Sequence, residues 1–369
     1  MRSRTRRGLA VAGISALMVA FGACGDNGGG GGGGGGGVTV DQGFPIGLLL
    51  PESKTTRYES FDRPLIEAKL KELCPKCTVL YQNADQDAAK QQSQAEAMLT
   101  QGVKVMILDA VDAKSAGGIV TNAKGQNIPV VAYDRLASGP INYYVSYDNK
   151  KVGQTQGQAL LDALTKGGNP KRGNIVMING APTDPNAADF KAGAHSVLDG
   201  KVNIGKEYDT PDWSPDQAQT EMEQAITALN KSTIIGVYAA NDGTAGGAIA
   251  AMKGAGFTTL PPVTGQDAEL AAIQRIISGQ QEMTVYKAIK PEADIAAQMA
   301  IDAATGAQFT AVPTVNVNNG SADVPSVLLN PVAVTVANVK DTVIKDGFYT
   351  AAQICTATYA AACKTAGIS

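Results

Sequence analysis

From residue 44 onward, short runs rich in valine, isoleucine and leucine alternate with longer stretches whose apolar residues recur at helical spacing. The runs cover residues 44–50, 78–81, 103–108, 128–132, 174–178, 202–208, 233–239 and 262–265, with a further one at 283–286. They are nearly continuous in apolar residues instead of alternating, the pattern of strands buried on both faces. Between them, Phe61, Leu65, Ile66, Leu70 and Leu73 mark one amphipathic helix, and Met222, Ala225, Ile226 and Leu229 mark another. The second opens Ser214-Pro215-Asp216-Gln217, which supplies an N-cap serine, a first-turn proline and a capping-box glutamine. Strands and helices alternating in this way predict an α/β chain, with parallel sheets covered by helices on both faces.

Ten or so strands are many for one open sheet, and 369 residues suffice for two cores of about 150 residues each. The break is expected at residues 147–151. Little glycine or proline lies there, so the joint reads as a short hinge, with two doubly wound domains facing each other across a cleft.

The first 37 residues depart from this rhythm and hold 14 of the 42 glycines. Arg2, Arg4, Arg6 and Arg7 precede an apolar stretch at 9–23, the pattern of an export signal too short for a membrane span. It ends Phe21-Gly22-Ala23-Cys24, which resembles a bacterial lipobox with Cys24 as the lipid acceptor. Ten glycines, 28–37, then form a tether that cannot bury apolar surface. Cleavage before Cys24 removes four arginines and takes the formal net charge from −3 to −7. An acidic body without a basic patch argues against a nucleic-acid partner, and the single histidine excludes a His-centred relay or a two-His metal site within one chain.

Four further cysteines form two local sets, Cys74 with Cys77 and Cys355 with Cys363. In an exported chain an even count in local pairs predicts structural disulfides. The competing reading of Cys74-Pro-Lys-Cys77 is a redox motif, but no thioredoxin-like pattern surrounds it.

In open α/β sheets, ligands lie beyond the carboxyl ends of the strands. Arg57 follows the first run, Asp134 and Arg135 the fourth, Asn186 the fifth, Trp213 the sixth, Asn241 the seventh, Asp267 the eighth and Lys287 the last. Arginine and lysine only donate hydrogen bonds, ionised aspartate only accepts, and asparagine does both. Three cations against two carboxylates leave little net field, so the ligand they describe is uncharged and polyhydroxylated. Trp213 offers a flat apolar face for a sugar ring. The bland alternatives are a core tryptophan and strand-end turns or solvated ion pairs. His195 reads as a half-exposed helix residue, and 242–247 lacks the lysine of a phosphate-binding loop.

Several blocks are specific. Tyr133-Asp134-Arg135, Tyr147-Asp148-Asn149, the stretch 241–249, Gly265-Gln266-Asp267-Ala268, Met283-Thr284-Val285-Tyr286-Lys287 and the stretch 340–348 resemble the bacterial D-xylose-binding proteins of ABC importers. The resemblance runs from about residue 46 to 348. It implies a type I periplasmic binding protein: two Rossmann-like, doubly wound parallel-sheet lobes joined by a three-segment hinge. By it Arg57, Asp134, Arg135, Asn186, Trp213, Asn241, Asp267 and Lys287 match sugar-contacting positions. Pro185-Asn186 stands where the family pairs two asparagines, and Lys54 and Tyr58 stand where the xylose proteins have Arg and Trp.

The organisation expected is a signal at 1–23, a lipidated tether at 24–41, an N-terminal lobe of 42–148 plus 289–327, and a C-terminal lobe of 149–288 plus 328–369. The function expected is that of a monomeric lipoprotein on the extracytoplasmic face of the cell membrane. It would deliver a monosaccharide, D-xylose first, to an ABC permease, with neither cofactor nor metal. Alternatives are a receptor for another sugar or polyol in transport or chemoreception, an enzyme using Asp134 and Asp267, and a sugar-responsive regulator, which would need a DNA-binding headpiece where an export signal is expected here.

Overall fold

The computed structural model describes residues 38–368; the expected signal, Cys24 and most of the glycine tether lie outside them. Chain order begins β1 (Pro45–Leu50), α1 (Arg63–Leu73), β2 (Thr78–Asn83), α2 (Ala88–Thr100), β3 (Val105–Leu108), α3 (Ala116–Gly125), β4 (Val130–Tyr133) and β5 (Tyr143–Tyr147). It continues α4 (Asn149–Lys166), β6 (Asn174–Asn179), α5 (Pro185–Leu198), β7 (Asn203–Asp209), α6 (Pro215–Leu229), β8 (Ile234–Ala239), α7 (Asp242–Gly254), α8 (Leu270–Ile277) and β9 (Thr284–Tyr286). It closes α9 (Ile289–Thr305), β10 (Val315–Asn318), β11 (Asp323–Leu329), β12 (Val332–Val334), α10 (Ala351–Ile354) and α11 (Ala360–Thr365).

One lobe is a seven-stranded sheet ordered β10-β11-β5-β4-β3-β1-β2, parallel throughout except for β10. Its central strands are buried on both faces, as their unbroken apolar runs require. Ile46, Leu48 and Leu50 pack on one side with Ile66 and Leu70 of α1 and with α9; Leu49, Met106 and Leu108 pack on the other with α2 and α3. The second lobe is built on β7-β6-β8, also parallel. Residues 262–265 form no full strand there. Val263 bridges β8 at Val237, Gln266 bridges Val285, and this thin seam joins the sheet to the antiparallel pair β9-β12. The chain passes between the lobes at 147–149, 286–289 and 329–332.

Strand β5 and strands β10–β12 were not foreseen. Beta-10 is largely exposed, and β11 and β12 each mix buried with exposed positions, so these three carry no solid apolar run. In the second lobe α4 and α5 cross at glycines: a Cβ on Gly153 would stand 1.9 Å from the Phe190 carbonyl oxygen, and one on Gly193 would stand 2.1 Å from that of Lys150. That contact seats Phe190 of α5. The two cysteine sets stand at disulfide distance, 2.07 Å for Cys74–Cys77 and 2.00 Å for Cys355–Cys363. The second pair ties the C-terminal segment, whose Phe348 stacks on Phe61 of the first lobe at 4.2 Å between ring centres. Among the described residues no helix is long and apolar enough to cross a membrane.

Candidate functional site

Because the strands of each lobe run parallel, their carboxyl ends share one edge, and the two edges face each other. Arg57 follows β1, Asp134 and Arg135 follow β4, Asn186 opens α5 after β6, Trp213 follows β7, Asn241 caps α7 after β8, Asp267 follows the Val263–Gln266 seam and Lys287 follows β9. All eight line one cavity of about 20 Å³. That is room for little more than one water and far below the roughly 300–1,000 Å³ usual for drug-sized ligands, so a sugar ring enters only as the lobes part or the lining side chains shift.

Four charged side chains form its centre. Nη1 of Arg57 donates to Oδ1 of Asp134 at 3.2 Å and stands 3.9 Å from Oδ1 of Asp267. Nζ of Lys287 lies 3.4 Å from Oδ1 of Asp134 and 3.5 Å from Oδ1 of Asp267. Behind the cavity, Asp62 grips Arg57 through Nε at 3.0 Å and Nη2 at 2.6 Å, and Glu292 accepts from the same Nη2 at 3.0 Å. Tyr133 donates its hydroxyl to Asp62. Arg57 is thereby fixed by its own helical segment and by α9.

The aromatic wall belongs to the second lobe. Trp213 is buried, with its ring edge-on to Phe190 at 6.3 Å and its Nε1 donating to Oδ2 of Asp184 at 3.1 Å. Lys287 Nζ sits 5.8 Å from the Phe190 ring centre. Asn186 donates through Nδ2 to the Asp134 carbonyl at 3.0 Å and accepts from Asn149 at 2.9 Å, so its amide joins the two lobes. Asn241 caps α7 by accepting from the Thr244 amide at 2.8 Å. Asp134, Trp213 and Asp267 have φ of 54°, 53° and 87°. Aspartate tolerates that left-handed region, but for tryptophan it is an outlier costing about 1–2 kcal/mol, held by the surrounding contacts.

Burial works against the Asp134 charge, but Arg57, Lys287 and Arg135 outweigh it and hold the carboxyl well below the usual range. Glu292 has the opposite fate: burial pushes it up to about 8, against the pull of Arg57. Burial also raises Asp184, Asp109 and Glu52, each partly offset by Arg135. The carboxylates around the cavity therefore outnumber the cations. Glu292, Asp109 and Glu52, set behind it, hold protons more readily, and this limits the excess negative charge.

Five lining residues escaped the sequence reading as contacts: Thr55, Tyr58, Asp184, Phe190 and Gln266. Phe190 stands four residues after Asn186 and so shares its helix face, a signal that was available. Asp184 caps α5 immediately before Pro185, also legible as a helix start. His195 does not line the cavity; its ring bonds Asp199 at 2.8 Å and Glu207 at 3.0 Å near the surface. Among the described residues no group of three or more His, Cys, Asp or Glu could hold a metal ion.

The family described as "Periplasmic binding protein domain" matches residues 46–308. A D-xylose-binding periplasmic protein of Escherichia coli is 39% identical over 310 residues, spanning 82% of this chain and 90% of that protein. Its namesake in Haemophilus influenzae is 37% identical, over 83% and 90%. Among solved structures, an ABC transporter solute binding protein from Clostridium phytofermentans with bound β-D-glucose superposes with a TM-score of 0.78 at 29% identity, over 84% of this chain and 99% of that one.

Proposed function

The chain belongs to the periplasmic binding protein family, whose members bind and hand over substrates and are not enzymes, and from that premise we propose that it is the monosaccharide receptor of an ABC importer. D-xylose is the first candidate, from the relatives at 39% and 37% identity. D-glucose is the second, from the Clostridium protein.

One observation carries the reading. Oδ1 of Asp267 is buried without a hydrogen-bond partner, between Lys287 at 3.5 Å and Arg57 at 3.9 Å. A buried acceptor left unmatched costs free energy, and a ligand hydroxyl that donates to it while accepting from the neighbouring cations removes that cost. Trp213 and Phe190 supply apolar faces for the ring carbons. The eight residues Arg57, Asp134, Arg135, Asn186, Trp213, Asn241, Asp267 and Lys287 form the binding set in this account, and hinge closure presents the loaded form to the permease.

A glycosidase reading needs one carboxyl held protonated as the acid. Asp134 is held ionised by three cations, which speaks against it. Lipidation of Cys24, cleavage before it, and action as a monomer on the extracytoplasmic face complete the proposal. Mass spectrometry of the mature N-terminus tests the anchor, and an unmodified Cys24 contradicts it. A thermal-shift panel tests the ligand class: at a hundredfold excess over Kd a ligand adds about 2.7 kcal/mol to native stability, so Tm rises by roughly 4 °C with D-xylose. The same panel stays flat with amino acids and nucleotides; a shift with those alone refutes the proposal.

A further inference from the structure

Asp184 is buried at the N-cap of α5, and both its oxygens are committed. Oδ1 accepts from the Asn186 amide at 2.8 Å, which fixes the start of the helix carrying Asn186 and Phe190. Oδ2 accepts from Trp213 Nε1 at 3.1 Å and lies 3.0 Å from Nε of Arg135, an ion pair whose angle falls outside hydrogen-bond geometry. Trp213 and Asn186 belong to one lobe, Arg135 to the other. The same loop makes a second crossing nearby, where the Ala113 amide donates to the Thr183 carbonyl at 3.3 Å.

We propose that Asp184 is a positioning residue that links the orientation of the Trp213 ring to closure of the cleft, because one carboxylate oxygen holds the indole N–H of its own lobe and receives the guanidinium of the opposite lobe. This role rests on the reading of the cavity as a monosaccharide site. The indole needs such a tether. Trp213 sits at positive φ, and its six-membered ring lies against Gly180, where any Cβ would stand 2.0 Å from Cη2. Gly180 and Phe190 bound the ring, and the bond to Asp184 fixes its indole nitrogen. Arg135 keeps weaker partners in its own lobe, Asp109 at 3.6 Å and Glu52 at 4.0 Å, so it remains ionised when the lobes part. Asp184 gives it a reason to be met on closure.

The test uses the mature chain with D-xylose as probe. Asp184→Asn keeps the shape and an accepting oxygen but removes the charge that draws Arg135. Its affinity falls roughly 30-fold or more, as for a buried charge pair that loses one partner. Because Trp213 is the only tryptophan, its quenching by acrylamide reports the ring directly and rises in the variant. Asp199→Asn, at the exposed end of α5, leaves both readouts within twofold. Wild-type affinity in D184N, or unchanged quenching, overturns the role while leaving the sugar-receptor reading intact. Failure of the wild type to bind any monosaccharide sinks that reading instead, and this role with it. Should D184N not fold, the single indole N–H resonance of the ¹⁵N-labelled wild type decides: slow solvent exchange supports the tether, and exchange as fast as free tryptophan overturns it.

Discussion

The side-chain amide of Asn186 donates to the main-chain carbonyl of Asp134 at 3.0 Å, so a helix start in one lobe is bonded to a strand end in the other. Its carbonyl is already taken by Asn149. Asn186 is thus spent on the protein as well as facing the cavity, and Asn186→Ala weakens sugar binding by loosening closure. The loss is smaller than for a charged contact, about 0.5–1.5 kcal/mol for a neutral hydrogen bond. Calorimetric affinities of the two variants rank them, and an Asn186→Ala loss exceeding that of Asp267→Ala contradicts this account.

Asp267→Ala removes the free acceptor between Lys287 and Arg57 and leaves both cations short of one carboxylate. A lost charge-assisted hydrogen bond costs about 1.5–3 kcal/mol, roughly 10- to 150-fold in Kd. Titration at a single salt concentration measures it, and binding as tight as wild type rules Asp267 out of the site.

Gly180→Ala drives a methyl into the Trp213 ring, a rigid neighbour that cannot yield locally. Overpacking costs about 1–3 kcal/mol, and here the strain falls on the proposed sugar platform. Denaturant midpoints drop and the sugar-induced change in Trp213 emission is lost. A variant with wild-type fluorescence response refutes the placement of that ring.

Glu292 is raised to about 8 by burial, against an ordinary value of 4.5. A carboxyl with a raised folded-state pKa binds its proton more tightly when native. Its contribution is therefore fully present below about 4.5 and is lost as pH rises to 8, by about 1.4 kcal/mol per pH unit for each proton. Buried Asp242, at about 7, and Glu269, at about 8, act in the same direction. Urea midpoints should fall between pH 5 and 8.5, and fall less steeply in Glu292→Gln, which imitates the protonated form. Equal slopes in the two proteins contradict the assignment.

Much of the site was legible in the sequence for a physical reason. Parallel strands buried on both faces leave only their carboxyl ends to carry polar groups, so Arg57, Asp134, Asn241, Asp267 and Lys287 announce themselves by following apolar runs. What stayed hidden depends on distant pairing. Nothing near Arg57 in sequence indicates that Glu292, on a helix of the chain's return passage, accepts from its guanidinium. Nor does the order of residues show that Asp184 and Arg135 meet across the cleft. Strand β5 was missed because it is short and tyrosine-rich, and β10 because it lies exposed at a sheet edge.

Isothermal calorimetry of D-xylose against the mature chain, with chromatography of the recovered sugar, tests the central claim most directly. The account predicts saturable binding at one site per chain, and sugar recovered unchanged. No heat from D-xylose, D-glucose or any other monosaccharide at millimolar concentration, or a released product, would contradict it.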